Sequence, residues 1–109
     1  MDYILSYFNE AVQSGFDSWP VELRARYRAL TIRIEMYGPN LGMPHTRTMG
    51  NGLYEIRAKA EEGIGRAFYC TLVGRRIVIL HGFIKKTNKT PKRELEIARN
   101  RMKEVLQHG

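Results

Sequence analysis

Residues 64–73 read IGRAFYCTLV and residues 76–84 read RIVILHGFI, with Gly74-Arg75 between them. No other stretch limits the fold as tightly. Both halves are rich in β-branched and aromatic residues, and a glycine-containing pair separates them, which is the pattern of a β-hairpin. Gly74-Arg75 suits a two-residue type II′ turn. The second half is apolar on both faces, so it belongs at the centre of a sheet. Pairing residue 73 with 76 and stepping back one residue at a time sets Arg66 opposite about residue 83, close to Lys85, unless a bulge shifts the register.

The flanking sequence extends this hairpin into a small α+β domain. Residues 2–8 (DYILSYF) predict a strand. Glu10 to Gln13 could form a helical turn that Gly15 ends. Asp17 or Ser18 offers an N-cap with Pro20 in the first turn. Leu23, Tyr27, Leu30, Ile34 and Tyr37 then form one helical stripe, which Gly38-Pro39 terminates. Residues 38–52 are rich in glycine and proline and predict a long ordered loop. Residues 53–59 (LYEIRAK) predict a further strand before the hairpin. Thr90 can cap a last helix with Pro91 at its first position, and Leu95, Ala98, Met102 and Val105 give that helix a core stripe. The expected architecture is a small antiparallel sheet with helices packed on it.

With 109 residues, 43% hydrophobic and 27% charged, the chain fits one domain over 1–109 and needs no disulfide staple. The lone Cys70 excludes an internal disulfide and any multi-cysteine zinc site. No apolar run approaches the ~18 residues of a membrane span. Asp2 and the lack of a basic n-region argue against a signal peptide, so a cytoplasmic location is expected. Neither metal-ligand spacing nor a phosphate-cradling glycine loop occurs, so no metal, cofactor or membrane partner is expected.

The charge is one-sided. Between Glu62 and Glu94 there is no acid and there are eight bases: Arg66, Arg75, Arg76, Lys85, Lys86, Lys89, Lys92 and Arg93. The rest of the chain holds ten Lys/Arg against eleven Asp/Glu, so the net charge of +7 resides in this third. Like charges destabilise a compact state, and a polyanionic partner explains their retention, RNA first. Lys92 and Arg93 also stand in the first turn of the last helix, where the dipole disfavours cations but an anion would bind. Arg75, Arg76, Lys89, Lys92 and Arg93 are the expected RNA-binding residues.

Arg57 and Arg66 lie inside apolar strands. A strand arginine wants a fixed carboxylate or phosphate, and Glu55 is the ordinary structural answer. His81 alternates with Ile79 and Phe83 and reads as a satisfied core histidine. His45 follows Pro44 and could reach a site or cap a turn. Tyr54 and Tyr69 can donate protons or stack on bases, or simply pack. No carboxylate pair or Ser-His-Asp order is present.

The strings PNLGMPHTRTMGNGLYEIR, GIGRAFYC and RRIVILHGFIKKTNKTPKRELEIARNR resemble the phage-derived Gp49-like, HigB-type branch of the RelE/ParE toxin superfamily, over roughly Trp19 to Leu106. The resemblance implies a toxin of a type II toxin–antitoxin pair with a helix-turn-helix, HigA-like antitoxin as partner. Members on the HigB/RelE side cut mRNA on the ribosome, and members on the ParE side poison gyrase; a non-catalytic phage nucleic-acid-binding protein is a third possibility. Carried over, the superfamily's strand arginine matches Arg66, the L-Y-E-I-R arginine is Arg57, and the basic pair after the last core strand is Lys85 and Lys86. These would clamp a scissile phosphate, with His45, Tyr69 and His81 as acid/base candidates. Further catalytic lysines and a C-terminal tyrosine found in many RelE-like proteins have no match here, so the resemblance does not assign the general base.

Overall fold

The computed structural model describes residues 2–87 and 89–108. The elements run β1 (Ile4–Tyr7), α1 (Glu10–Asp17), α2 (Val21–Tyr37), β2 (Thr46–Gly50), β3 (Leu53–Ala60), β4 (Gly63–Leu72), β5 (Arg76–Lys85) and α3 (Lys92–His108). The five strands form one sheet in the order β1-β5-β4-β3-β2. The α+β class holds, but the sheet is mixed. β2 to β5 are antiparallel, whereas β1 pairs parallel with β5. Only a crossover can join parallel neighbours, and the long path through α1 to β4 supplies it.

Both faces of the sheet are covered. On one, Phe16, Trp19, Leu23, Tyr27, Leu30 and Ile34 of the α1–α2 arm pack on Ile56, Ala67, Tyr69, Ile77 and Ile79. On the other, Ala98 and Met102 of α3 pack on Leu53, Phe68, Cys70, Val78 and Leu80, with Leu95 and Val105 at the margin. This explains why β5 is apolar on both faces; it is an interior strand between β1 and β4. Two glycines make the first layer possible. A Cβ on Gly65 would overlap the Trp19 ring, and one on Gly82 would overlap Phe16. They leave room on the sheet for an aromatic group in which Phe16 stacks on Tyr27 at 4.3 Å and lies 4.8 Å from Trp19.

Several local expectations change. β2 occupies part of the predicted loop, because TRTMG gains its strand character by pairing with β3. Gly15 lies within α1, not at its end; Asn9 caps that helix by accepting from the Val12 N–H at 2.9 Å. Ser18 closes α1 rather than opening α2, its hydroxyl donating to the Gly15 carbonyl. Pro20, with no side-chain cap bond, stands at the N-cap of α2. Tyr37 leaves the α2 core stripe and is exposed.

The hairpin turn is not type II′. Gly74 and Arg75 both have positive φ, 84° and 58°, whereas that turn has it at the first position only. Leu72 pairs with Arg76, so the register starts one residue away from expectation. A bulge opposite Phe68 and Tyr69 then absorbs one residue of β5, and Arg66 meets Phe83 as the sequence predicts. The same bulge breaks the alternation expected for His81. His81 joins Phe68 and Phe83 in a ring cluster on the α3 face, while Ile79 packs on the opposite face.

Candidate active site

Antiparallel register stacks charged and aromatic side chains in rows on the α3 face, just beyond the start of that helix. Glu55 pairs with Arg47 on one side and with Phe68 on the other, and Phe68 pairs with His81. The next row is Arg57, Arg66 and Phe83, and the last is Lys59, Ile64 and Lys85. Period-two alternation keeps these rows on one face. The result is a cationic platform with aromatic rings set into it.

Glu55 anchors the platform. It is fully buried, and burial of a carboxylate requires partners. Its Oε1 accepts from Arg57 Nε at 2.8 Å and from Arg47 Nε at 3.0 Å. Its Oε2 accepts from the Thr90 hydroxyl at 3.1 Å, and Thr90 in turn accepts from Arg47 Nη2 at 3.2 Å. Thr90, predicted as a helix cap, instead ties the approach to α3 down onto the sheet.

Arg66 is treated differently. It is the largest fully buried side chain, yet its hydrogen bond does not go to Glu55. Nη2 donates to the Thr87 carbonyl, and the guanidinium lies 5.6 Å from the Phe83 ring centre. Nε and Nη1 are buried without a hydrogen-bond partner among the described residues. Burial, and next the charge of Arg57, lower the pKa of this guanidinium, with Glu55 opposing them. A buried guanidinium with two free donors is a preformed site for an anion's oxygens.

The remaining sequence candidates divide. Lys85 and Lys86 are exposed at the open end of the platform. Lys92 and Arg93 are exposed on the first turn of α3, with Lys92 3.9 Å from Glu96, and Lys89 is exposed just before it. The first turn also contains Glu94, whose Oε2 lies 3.2 Å from His81 Nε2, so His81 is the partnered core histidine that the sequence suggests. Arg75 and Arg76 stand at the far end of β5, roughly 20 Å or more from Phe83 at the usual strand rise. Arg75 lies over the Tyr3 ring and Arg76 Nε donates to the Val73 carbonyl. Tyr69 lies on the opposite face, its hydroxyl donating to the Pro39 carbonyl and its pKa raised by burial. His45 precedes β2 at the sheet margin, its carbonyl accepting from the Arg57 N–H at 2.9 Å.

Thus six of the eight bases in the acid-free third gather at one end, and Arg47, Arg57 and Lys59 join them from outside it. Arg47 and Lys59 were not among the sequence candidates. Lys59 shares the Glu55–Arg57 face by simple alternation, which was visible; Arg47 became placeable only with β2.

A family model described as "Phage derived protein Gp49-like (DUF891)" matches residues 14–103. The chain belongs to this Gp49-like family. A search of curated proteins returned no match. Among solved structures, the RelE–RelB complex from the archaeon Pyrococcus horikoshii OT3 contains a chain of the same fold, with TM-score 0.59 and 18% identity, covering 82% of this chain and all of that one. The free E. coli toxin RelE, as a double arginine-to-alanine mutant, matches with TM-score 0.55 and 12% identity over 96% of this chain and 99% of its own. The Gp49-like chain therefore has the RelE fold.

Proposed function

We propose that this Gp49-like protein is the toxin of a type II toxin–antitoxin pair and acts as a metal-independent endoribonuclease on ribosome-bound mRNA. The observation that carries the reading is Arg66, a buried guanidinium with two unspent donors inside a cationic, aromatic platform. Folding alone gives no reason to keep it. The RelE fold and the family support the toxin reading, and the HigB-type strings favour mRNA over gyrase as target.

In this mechanism the 2′-oxygen attacks the adjacent phosphorus and the bond to the 5′-oxygen breaks. Arg66 donates from Nε and Nη1 to the phosphoryl oxygens. The Thr87 carbonyl already occupies the third donor, Nη2. Arg57, fixed by Glu55, and the exposed Lys85 and Lys86 add positive charge where the phosphorane is most negative. Phe83 and His81, both half-buried beside the core ring of Phe68, offer faces for unstacked bases. In this reading His81, linked to Glu94, takes the 2′-hydroxyl proton and returns it to the departing 5′-oxygen, leaving a 2′,3′-cyclic phosphate; Tyr69 serves the core on the other face. The partner is an antitoxin of the HigA-like, helix-turn-helix kind, whose acidic groups would cover Arg66, Lys85 and Lys86. That one structural neighbour is complexed with RelB supports an antitoxin partner.

The test is induced expression followed by primer extension of cellular mRNA, with purified protein assayed with and without ribosomes. New 5′ ends that need ribosomes and vanish in Arg66→Met are expected. Undiminished cleavage by Arg66→Met overturns the site. DNA-damage signalling that precedes translation arrest overturns the reaction in favour of gyrase poisoning.

A further inference from the structure

β2 covers only half of its neighbour. Its pairing starts at Thr46 opposite Ile56, and the Arg57 N–H still donates to the His45 carbonyl, so the outer edge of β3 has no partner strand among the described residues from Ala58 to Ala60. A cavity of about 410 Å³ lies there, between that edge and α2. Ala29, Leu30, Pro44 and Ala58 give it an apolar lining, and Arg26, Arg33, His45, Arg57 and Lys59 supply its polar groups. None of the lining residues is acidic. Glu22 reaches Arg26 at 3.0 Å from the preceding turn, an exposed pair that water and salt weaken. Arg33 is exposed and has no ion-pair partner among the described residues.

We propose that this groove is a second nucleic-acid subsite, which holds one unstacked nucleotide of single-stranded RNA and its flanking phosphates. The inference rests on the ribonuclease reading and extends it. Continuity is the first reason. Arg57 and Lys59 belong both to the platform rows and to the groove, so a strand leaving Arg66 meets cations all the way around the β3 edge to α2. Chemistry is the second. An apolar floor rimmed by guanidinium and ammonium groups suits a base or ribose below and phosphates above, and the volume lies in the range of small-ligand pockets. Arginine forks on α2 can grip phosphate oxygens in pairs. An acidic peptide could use the same cations, but the shared residues tie the groove to the path of the RNA.

The subsite sets how many nucleotides the protein grips beyond the scissile phosphate. Its test uses the full chain and oligouridylates of two to eight nucleotides, made uncleavable by 2′-O-methylation and followed by fluorescence anisotropy. For the unaltered protein, affinity should climb with length and then level off. Arg26→Ala/Arg33→Ala should bind the dinucleotide unchanged and the octamer about tenfold more weakly. Its log–log salt slope should be shallower by about 1.4, because two single-strand phosphates are no longer neutralised. A 4-thiouridine scanned along the octamer should cross-link to peptides containing residues 26–33 or 44–45. Equal octamer affinity in the double variant overturns the proposal. So do cross-links confined to residues 83–93, an absence of oligonucleotide binding by the unaltered chain, or binding of an acidic decapeptide that is lost in Arg26→Ala/Arg33→Ala while RNA binding is unchanged. Arg66→Met in the primer-extension assay reports separately on the ribonuclease reading, so either can fail alone.

Discussion

Replacing Arg66 with Met should leave the protein as stable or make it more so, although Arg66 is its largest fully buried side chain. A surface arginine could be replaced with little effect; burial removes that reason and supplies another. Nε and Nη1 have no partners among the described residues, and each unmatched buried donor costs about 1–3 kcal/mol. Methionine removes both, together with the repulsion from Arg57, and retains much of the stem volume. Against this stand one charge-assisted bond to the Thr87 carbonyl, worth about 1.5–3 kcal/mol, and a cation–π contact with Phe83 of about 0.5–2 kcal/mol. Thr87 is exposed, so water can satisfy its carbonyl once the arginine is gone. At mid-range the two donors cost about 4 kcal/mol and the two contacts return about 3.5 kcal/mol, so with the Arg57 repulsion also relieved the balance falls at about 0 to 2 kcal/mol of net stabilisation. For a domain of this size, that raises Tm by up to about 10 °C. Circular dichroism melts and urea midpoints measure it, alongside the cleavage assay. A loss of stability beyond about 2 kcal/mol would show Arg66 to be a structural element, and its unspent donors would then say nothing about function.

Three further perturbations probe the rest of the layout. Glu55→Gln removes the carboxylate that Arg47 and Arg57 share; Arg57 is almost buried and Arg47 partly hydrated, so the loss should be about 2–4 kcal/mol, and a melt within a few degrees of wild type would refute the anchor role. Gly82→Ala forces a Cβ into the Phe16 ring, which Tyr27 backs at 4.3 Å, and should cost about 1–3 kcal/mol in urea titrations; an unchanged midpoint would mean that the aromatic layer is loose. Burial pushes the Cys70 thiol up to about 11 from 9.0, so the folded state holds its proton longer than the unfolded chain does. That contribution is complete below pH 9 and is lost as pH rises through 11, at most about 2–3 kcal/mol. Cys70→Ala should therefore show a shallower alkaline decline than wild type, and parallel curves would contradict the role given to burial.

Local chemistry wrote most of the fold into the sequence. The hairpin strands, the long helix after Pro20 and the final helix all announce themselves by periodicity and by Pro/Gly punctuation. What the sequence hid depends on distant partners. β2 reads as loop because glycine and proline surround TRTMG, and only pairing with β3 makes it a strand. The parallel placement of β1 is equally non-local. The Arg66–Phe83 pairing emerged correctly through two offsetting departures, a shifted turn register and a bulge, neither of which was foreseen. For the site, a continuous run of charge misled in one respect. A ten-residue strand separates its ends by roughly 30 Å, so Arg75 and Arg76 cannot share a surface patch with Lys85.

The contrast between two neighbouring arginines carries the functional reasoning furthest. Arg57 and Arg66 face each other across β3 and β4 and have the same chemistry. The carboxylate beside them, Glu55, is committed to Arg57, Arg47 and Thr90. A fold optimised for stability alone would have satisfied both guanidinium groups or replaced one with an apolar residue. Glu55 instead fixes Arg57 in place and leaves Arg66 with donors to spare, at a cost that the lowered pKa of Arg66 registers. Local conflict with the rules of folding is expected where function is served. Here it marks a position where an incoming oxyanion would improve the structure rather than disturb it.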